Sequence, residues 1–258
     1  MTAPRGGRRA ASQRIPAGAP RQLDFDRFDV LTFDCYGTLI DWEAGISSAL
    51  LAMLGAHGVQ ATAEDVLATY GGHEAELEAG PYRAYRDVLG LAMAALGIDY
   101  GVEPTASEMA AFGGSVGDWP AFPDSADALR RLHERFRLGV ITNCDDDLFA
   151  ASSRRLGVTF DWVVTAQQAR RYKPNPRGFE LAFERIGLPT SRILHVAQSL
   201  FHDHVTAKHL GLATVWVNRR QGRAGSGATP PANATPDLVV PDMATLADLA
   251  DLATAASR

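Results

Sequence analysis

Five short apolar or β-branched runs recur along the chain: FDVLTFD (28–34), RLGVITN (137–143), DWVVT (161–165), ILHVA (193–197) and TVWV (214–217). A sixth, DLVV (237–240), lies between Pro236 and Pro241. The runs are apolar almost throughout and do not alternate, which is the pattern of parallel strands covered on both faces. Stretches with helical spacing separate them. Phe179, Phe183 and Ile186 fall four and then three residues apart and define one buried helix face. A helix is expected to begin near Asp203. The last helix opens behind Asp242, a good N-cap, and carries Leu246, Leu249 and Leu252. The alternation predicts an α/β fold, a doubly wound parallel sheet.

The interval between the first and second runs is too long for a simple crossover. It holds SSALLAMLGAHG, AEDVLATYGGHEAELE and PYRAYRDVLGLAMAALG, each with helical patterning. Residues 47–121 are therefore expected to form an inserted helical cap domain, with 25–46 and 122–258 as the α/β core. Such an insertion would sit over the carboxyl ends of the strands, where ligands bind in sheets of this kind. Gly222 to Pro236 is rich in Gly, Ala, Pro and Ser and reads as a flexible surface loop. Residues 1–24, rich in Arg, Pro, Gly and Ala, read as a disordered tail, and no apolar segment follows Arg8-Arg9 to make an export signal.

Composition narrows the function classes. With 46% hydrophobic and 21% charged residues, the chain can fill a globular core. A net charge of −5 and the lack of a basic stripe argue against nucleic acid as a partner. No apolar run approaches the roughly 18 residues of a membrane span. Two cysteines, Cys35 and Cys144, cannot build a disulfide framework, and a reduced, cytoplasmic setting is expected.

Four segments fall at the carboxyl ends of different expected strands: Asp34-Cys-Tyr-Gly-Thr38, Thr142-Asn143, Lys173-Pro174, and Gln198-Ser199 through Asp203. Each alone is weak; all four in this order, with an insertion after the first, are a specific signal. On these segments residues 25–258 resemble the haloacid dehalogenase superfamily, and most of all its 2-haloacid dehalogenase branch, whose first motif has the form F-D-x-Y-G-T-L. YKPNPRGFELAFERIGL (172–188) and LGLATVWVNR (210–219) also resemble that branch. The resemblance implies that Asp34 attacks the substrate and forms an ester that water then hydrolyses.

Phosphatases of the superfamily use a second aspartate to protonate a basic leaving alkoxide, and Mg²⁺ to screen the phosphate. Here Tyr36 stands in place of that aspartate, and Gln198 in place of an expected metal-binding acid. Hard cations want several oxygen ligands, preferably anionic. A halide, by contrast, leaves without a proton. The reading is a hydrolase that converts a halogenated carboxylic acid, a short 2-haloalkanoic acid, to a 2-hydroxy acid with no cofactor and no metal. Thr38 is expected to orient Asp34, Lys173 to hold it ionised, and Asp203 to position the attacking water. Tyr36, Thr142, Asn143, His73 and Ser199 are the candidate substrate and halide contacts.

The match is incomplete. The branch carries a cap arginine that grips the halide, and a gapless reading from Leu77-Glu78 puts His73 at that place. Arg83 and Arg86 fit better as the solvated face of an amphipathic helix. The third-motif tyrosine is Phe179, and the fourth-motif asparagine falls near Leu200. His195, His202, His204 and His209 read as core or solvated residues, with His202 next to Asp203 the one of interest. Cys35 and Cys144 read as buried packing, and Trp42 and Trp119 as hinge residues that could wall the pocket. A phosphatase with an atypical magnesium site and a non-catalytic binding protein on the same scaffold are the alternatives, and a homodimer is left open.

Overall fold

The computed structural model describes residues 23–223 and 227–256. The six runs become β1 (Val30–Phe33), β2 (Arg137–Thr142), β3 (Trp162–Thr165), β4 (Ile193–Ala197), β5 (Ala213–Val217) and β6 (Leu238–Val240). They form one sheet in the order β3-β2-β1-β4-β5-β6, with every neighbouring pair parallel. The chain winds outward from β1 to β3 and then crosses back to β4. The β1/β4 boundary is thus the point where strand order reverses, and the crevice above it is where such sheets bind ligands.

All of β1 is buried because helices cover both faces. On one face α5 (Ser125–His133) and α10 (Met243–Ala256) contribute Leu129, Leu246 and Ala250 to the larger core. On the other, α8 (Arg177–Ile186) and α9 (Val205–His209) pack Phe179, Ile186 and Ala207 against Val30, Ile141 and Ile193. Phe183 is only partly buried there. Two shorter-range elements, α6 (Asp146–Leu156) and α7 (Ala166–Ala169), follow β2 and β3. The Asp242 cap forms as expected, its side chain accepting from Thr245 N at 2.7 Å. Leu252 does not join the core and is 63% exposed. Six residues beyond Leu246 it is turned about 240° around the helix, and Ala247 and Ala250 take the inward positions.

The insertion contains α1 (Trp42–Ala56), α2 (Ala63–Ala79), α3 (Tyr85–Asp99) and α4 (Ala106–Gly114). The first begins ahead of residue 47 because Asp41 caps it, accepting from Ala44 N at 3.1 Å. The fourth was not visible as a pattern, although Thr105 and Glu108 make a capping box at its start. The strands of chain entering and leaving the insertion run side by side: Asp41 N donates to Pro120 O at 2.8 Å and Phe122 N to Leu39 O at 3.0 Å. Gly45 lies at this junction against the Trp119 ring, where an added Cβ would fall 2.3 Å from ring carbons. Gly45→Ala is therefore expected to lower stability by about 1–3 kcal/mol through overpacking, read as a lower urea midpoint.

Of the segment 1–24 expected to be disordered, 1–22 lie outside the described residues. Leu23 packs on the core, and Asp24 caps the 3-10 turn Phe25–Arg27. The Gly222–Pro236 loop is not a simple surface excursion, although its residues 224–226 lie outside the described residues. Ala228 and Thr229 are buried. The Ala228 carbonyl oxygen meets α2 so closely that only a glycine fits at 71, where a Cβ would come within 2.3 Å of it.

Candidate active site

Asp34 follows β1 directly, its backbone N–H donating to Val196 O of β4 at 3.0 Å. The chain then reverses through Gly37, whose φ of +91° is left-handed backbone that glycine adopts without strain. This turn brings the Thr38 hydroxyl back to Asp34, donating to Oδ2 at 2.6 Å. The same hydroxyl accepts from Gln198 N at 2.9 Å. Arg219 holds the turn from behind, donating to Thr38 O at 2.9 Å and to Asp124 at 2.8 Å.

Lys173, in the loop between α7 and α8, joins two carboxylates. Its ammonium donates to Asp34 Oδ1 at 2.8 Å, Asp203 Oδ1 at 2.7 Å and Ile141 O at 2.9 Å. All three side chains are buried. Asp203 arrives on a π-helical turn, Leu200–His204, in place of the regular helix start expected there. Its Oδ1 also meets His195 Nε2 at 3.1 Å, while His195 Nδ1 meets Thr32 Oγ1 at 2.9 Å. His195 is a fully buried core residue that orients Asp203. Asp203 Oδ2 has no partner among the described residues.

The environments separate the two acids. Burial works against the charge on Asp203, but Lys173 and His195 outweigh it and hold the carboxyl below the usual range. Burial raises Asp34, aided by the nearby Asp203 charge and opposed by Lys173 and Thr38. Burial also disfavours the Lys173 ammonium, yet the two carboxylates more than compensate and raise its pKa. The two carboxyls are thus pushed in opposite directions, Asp203 down and Asp34 up.

The expected contacts do not all converge. Tyr36 walls the cavity, but its hydroxyl is turned into the core, 3.0 Å from Ser152 Oγ and accepting from Cys144 Sγ at 3.4 Å. Its ring stands edge-on to Trp119 at 5.7 Å. Asn143 also lines the cavity, yet both amide donors are engaged, with Lys173 O and with Glu78 Oε2, each at 3.1 Å. Its own Oδ1 accepts from Lys173 N at 2.7 Å, so it organises the lysine loop and keeps no donor for a halide. Ser199 and His202 line the space, with the Ser199 hydroxyl accepting from His202 N at 2.9 Å.

Two expected contacts lie elsewhere. Thr142 is buried but does not line the cavity, and its hydroxyl has no partner among the described residues. Side chains alternate along a strand, and Asn143 takes the cavity-facing place. His73 is outside the cavity too, its Nε2 2.6 Å from Asp99 of α3. Successive residues are turned about 100° on a helix, and it is Glu74 and Glu78 of α2 that face inward. Arg86 bonds Asp147 at 2.7 Å and Arg83 is exposed.

Glu74, Glu78, Tyr85, Trp42 and Thr229 line the cavity with Asp34 and Lys173, and sequence reasoning assigned a site role to none of the first three. A signal existed: Val66, Tyr70, Glu74 and Glu78 fall on one four-residue spacing, so the apolar face of α2 runs on into two acids. The enclosed space is small, about 30 Å³, room for two or three waters. Several ties hold the insertion over it, among them the Asn143–Glu78 and Arg86–Asp147 bonds. Asp145 accepts from Tyr85 N at 2.9 Å, and Tyr172 OH donates to Arg83 O at 2.9 Å.

The donor set does not fit a divalent cation. Asp34 and Asp203 share the Lys173 ammonium, Tyr36 offers no acid, and position 198 is a neutral amide. Among the described residues no group of three or more His, Cys, Asp or Glu is arranged to hold a metal ion.

The sequence matches the family described as "haloacid dehalogenase-like hydrolase" over residues 28–204. It is 31% identical over 105 residues to the (S)-2-haloacid dehalogenase of Pseudomonas putida, covering 39% of this chain and 45% of that protein. It is 30% identical over 111 residues to the pyrimidine 5'-nucleotidase YjjG of Escherichia coli, covering 42% of this chain and 49% of that one. In these matches the chain spans about half the length of the curated relatives. The L-2-haloacid dehalogenase of Xanthobacter autotrophicus has the same fold, with a TM-score of 0.72 at 23% identity over 87% of this chain and 98% of that one. Among the described residues no helix is long and apolar enough to cross a membrane.

Proposed function

The chain belongs to the haloacid dehalogenase-like hydrolase family, and from that premise we propose that it removes halide from short 2-haloalkanoic acids through an ester on Asp34. An Asp34 carboxylate oxygen attacks the halogen-bearing carbon; the new C–O bond forms as the carbon–halogen bond breaks, and halide departs with the bonding electrons. Water then adds to the Asp34 carboxyl carbon, releasing the 2-hydroxy acid and a proton and restoring the carboxylate. Thr38 and Lys173 orient Asp34 and balance its charge. Asp203 Oδ2, the acceptor left over on that carboxylate, holds the water. The helical insertion, residues 47–121 by the domain reading, acts as a cap that keeps bulk water out.

The observation that carries this reading is the Tyr36 hydroxyl, committed to Ser152 and Cys144 and unable to protonate a leaving group beside Asp34. Halide is a leaving group that needs no proton. The nucleotidase relative makes phosphate-ester hydrolysis the competing reading, but that reaction needs an acid and a cation site, which Tyr36 and Gln198 do not supply.

Free halide is the readout. Release from bromoacetate and 2-chloropropionate is expected to persist undiminished in excess EDTA, with magnesium-stimulated cleavage of an aryl phosphate absent. Halide release that stops in EDTA, or phosphate release that exceeds it, refutes the proposal. Tyr36→Phe is expected to slow halide release by less than about tenfold, because loss of a true general acid costs about 10²–10⁴-fold.

A further inference from the structure

The face of the cavity contributed by the insertion is acidic where an anionic substrate needs a donor. Glu74 and Glu78 lie one turn apart on α2 and line the cavity, Glu74 buried and Glu78 half-buried with its side chain 6% exposed, whereas among the described residues no arginine lines it. With both ionised, beside Asp34 and Asp203 and a single lysine, the cavity would repel a carboxylate. At about 4 Å and an effective dielectric near 20, one such charge alone weakens binding roughly a thousandfold.

The two carboxyls are not equivalent. Glu74 Oε1 accepts from the phenols of Tyr70 at 2.7 Å and Tyr85 at 2.8 Å, a cradle for negative charge. Glu78 accepts one hydrogen bond, from Asn143 onto Oε2, and among the described residues none reaches its Oε1. Its nearest basic neighbour is His202, with Nε2 3.8 Å from Oε2, and burial lowers that imidazole to about 4, so it is neutral near pH 7. Besides Glu74 on the same helix, Tyr85 faces the pair from α3, and Lys173 and Tyr172 from the loop behind α7. Asp34 closes the far side, with Asp203 beyond Lys173. Lys173 is the one cation in this set, and it is already shared by the two aspartates.

We propose that Glu78 serves as a carboxylic acid, its Oε1 hydroxyl donating to the carboxylate of the substrate. The proposal rests on the haloacid reading above and adds to it a proton-linked specificity residue. Burial and the Glu74 charge push the Glu78 carboxyl well above the usual range, against Lys173 and Asn143, and burial raises Glu74 to about 7. The sign follows. An anion accepted by a protonated carboxyl binds best below the pKa of that group, and its affinity falls as pH rises through it.

Glycolate, the hydroxy acid that chloroacetate would yield, tests this without turnover. Calorimetry on the full chain from pH 5 to 9, in buffers of different ionisation enthalpy, is expected to show an affinity falling about tenfold per pH unit on the alkaline side. Uptake should approach one proton per site there. Glu78→Gln, a donor at every pH, is expected to bind glycolate with a flat profile and no uptake. A flat wild-type profile, no glycolate binding anywhere in this range, or an unchanged slope in Glu78→Gln overturns the inference; the wild-type measurement decides it even if the variant does not fold. Failure of the reaction reads differently: proton-linked glycolate binding without halide release from any haloacid sinks the dehalogenase proposal and leaves the anion site standing.

Discussion

Asp34→Asn is expected to cut halide release from 2-chloropropionate by roughly 10⁴–10⁶-fold, the scale on which enzymes lose activity when a nucleophile is removed. The amide is nearly isosteric but a poor nucleophile at carbon, and it forms no ester that water could open. The fold should survive. With the amide oxygen in the place of Oδ2, Thr38 keeps its acceptor, and Lys173 keeps Asp203 at 2.7 Å and Ile141 O at 2.9 Å. A single-turnover reaction in ¹⁸O water completes the measurement: label must enter the wild-type Asp34 side chain. A variant that turns over haloacids undiminished ends the proposal.

The second large effect falls on stability. Lys173→Met is expected to destabilise the protein by about 3–5 kcal/mol near neutral pH, because it leaves two buried carboxylates without their cation. In the native protein Asp203 has a depressed pKa, so its contribution is present above the unfolded carboxylate value and lost as pH falls. In the variant the depressing charge is gone and burial dominates. The folded-state carboxyls then bind protons more tightly than the unfolded chain, and stability falls as pH rises. Urea midpoints of the two proteins should therefore lie furthest apart at pH 7–8 and approach each other below about pH 4. A constant gap across that range would mean that lost packing of the lysine stem, not lost charge, sets the cost.

The core of the site was readable from the chain because Asp34 and Asn143 follow strands directly and Lys173 and Asp203 come a few residues beyond strand ends. A strand-end residue on a parallel sheet projects into the same crevice as its counterparts, so recognising the strands brings Asp34, Asn143, Lys173 and Asp203 to one place. The Thr38 contact was also legible, since the Gly37 turn is local and its return path is short. His73 failed for the converse reason. Its position came from counting along a helix whose rotation about its own axis the count does not contain. One residue of error turns a side chain by about 100° and exchanges a cavity wall for the Asp99 pair.

Local pattern alone therefore determined the strands, most of the helices, the place of the insertion and the position of Asp34 just behind the first strand. Each of these depends on the spacing of apolar side chains or on a turn within a few residues, and such information is contained in the order of the chain. Tertiary structure decided which way Tyr36 points, that Asn143 is tied to the lysine loop, and that Glu74 and Glu78 form the wall opposite Asp34. Those outcomes depend on how α2 docks, through Gly71 against Ala228 and Tyr85 against Asp145. Contacts between residues so far apart in sequence are settled by packing in three dimensions, where the burial of one group fixes the room and the charge available to the next.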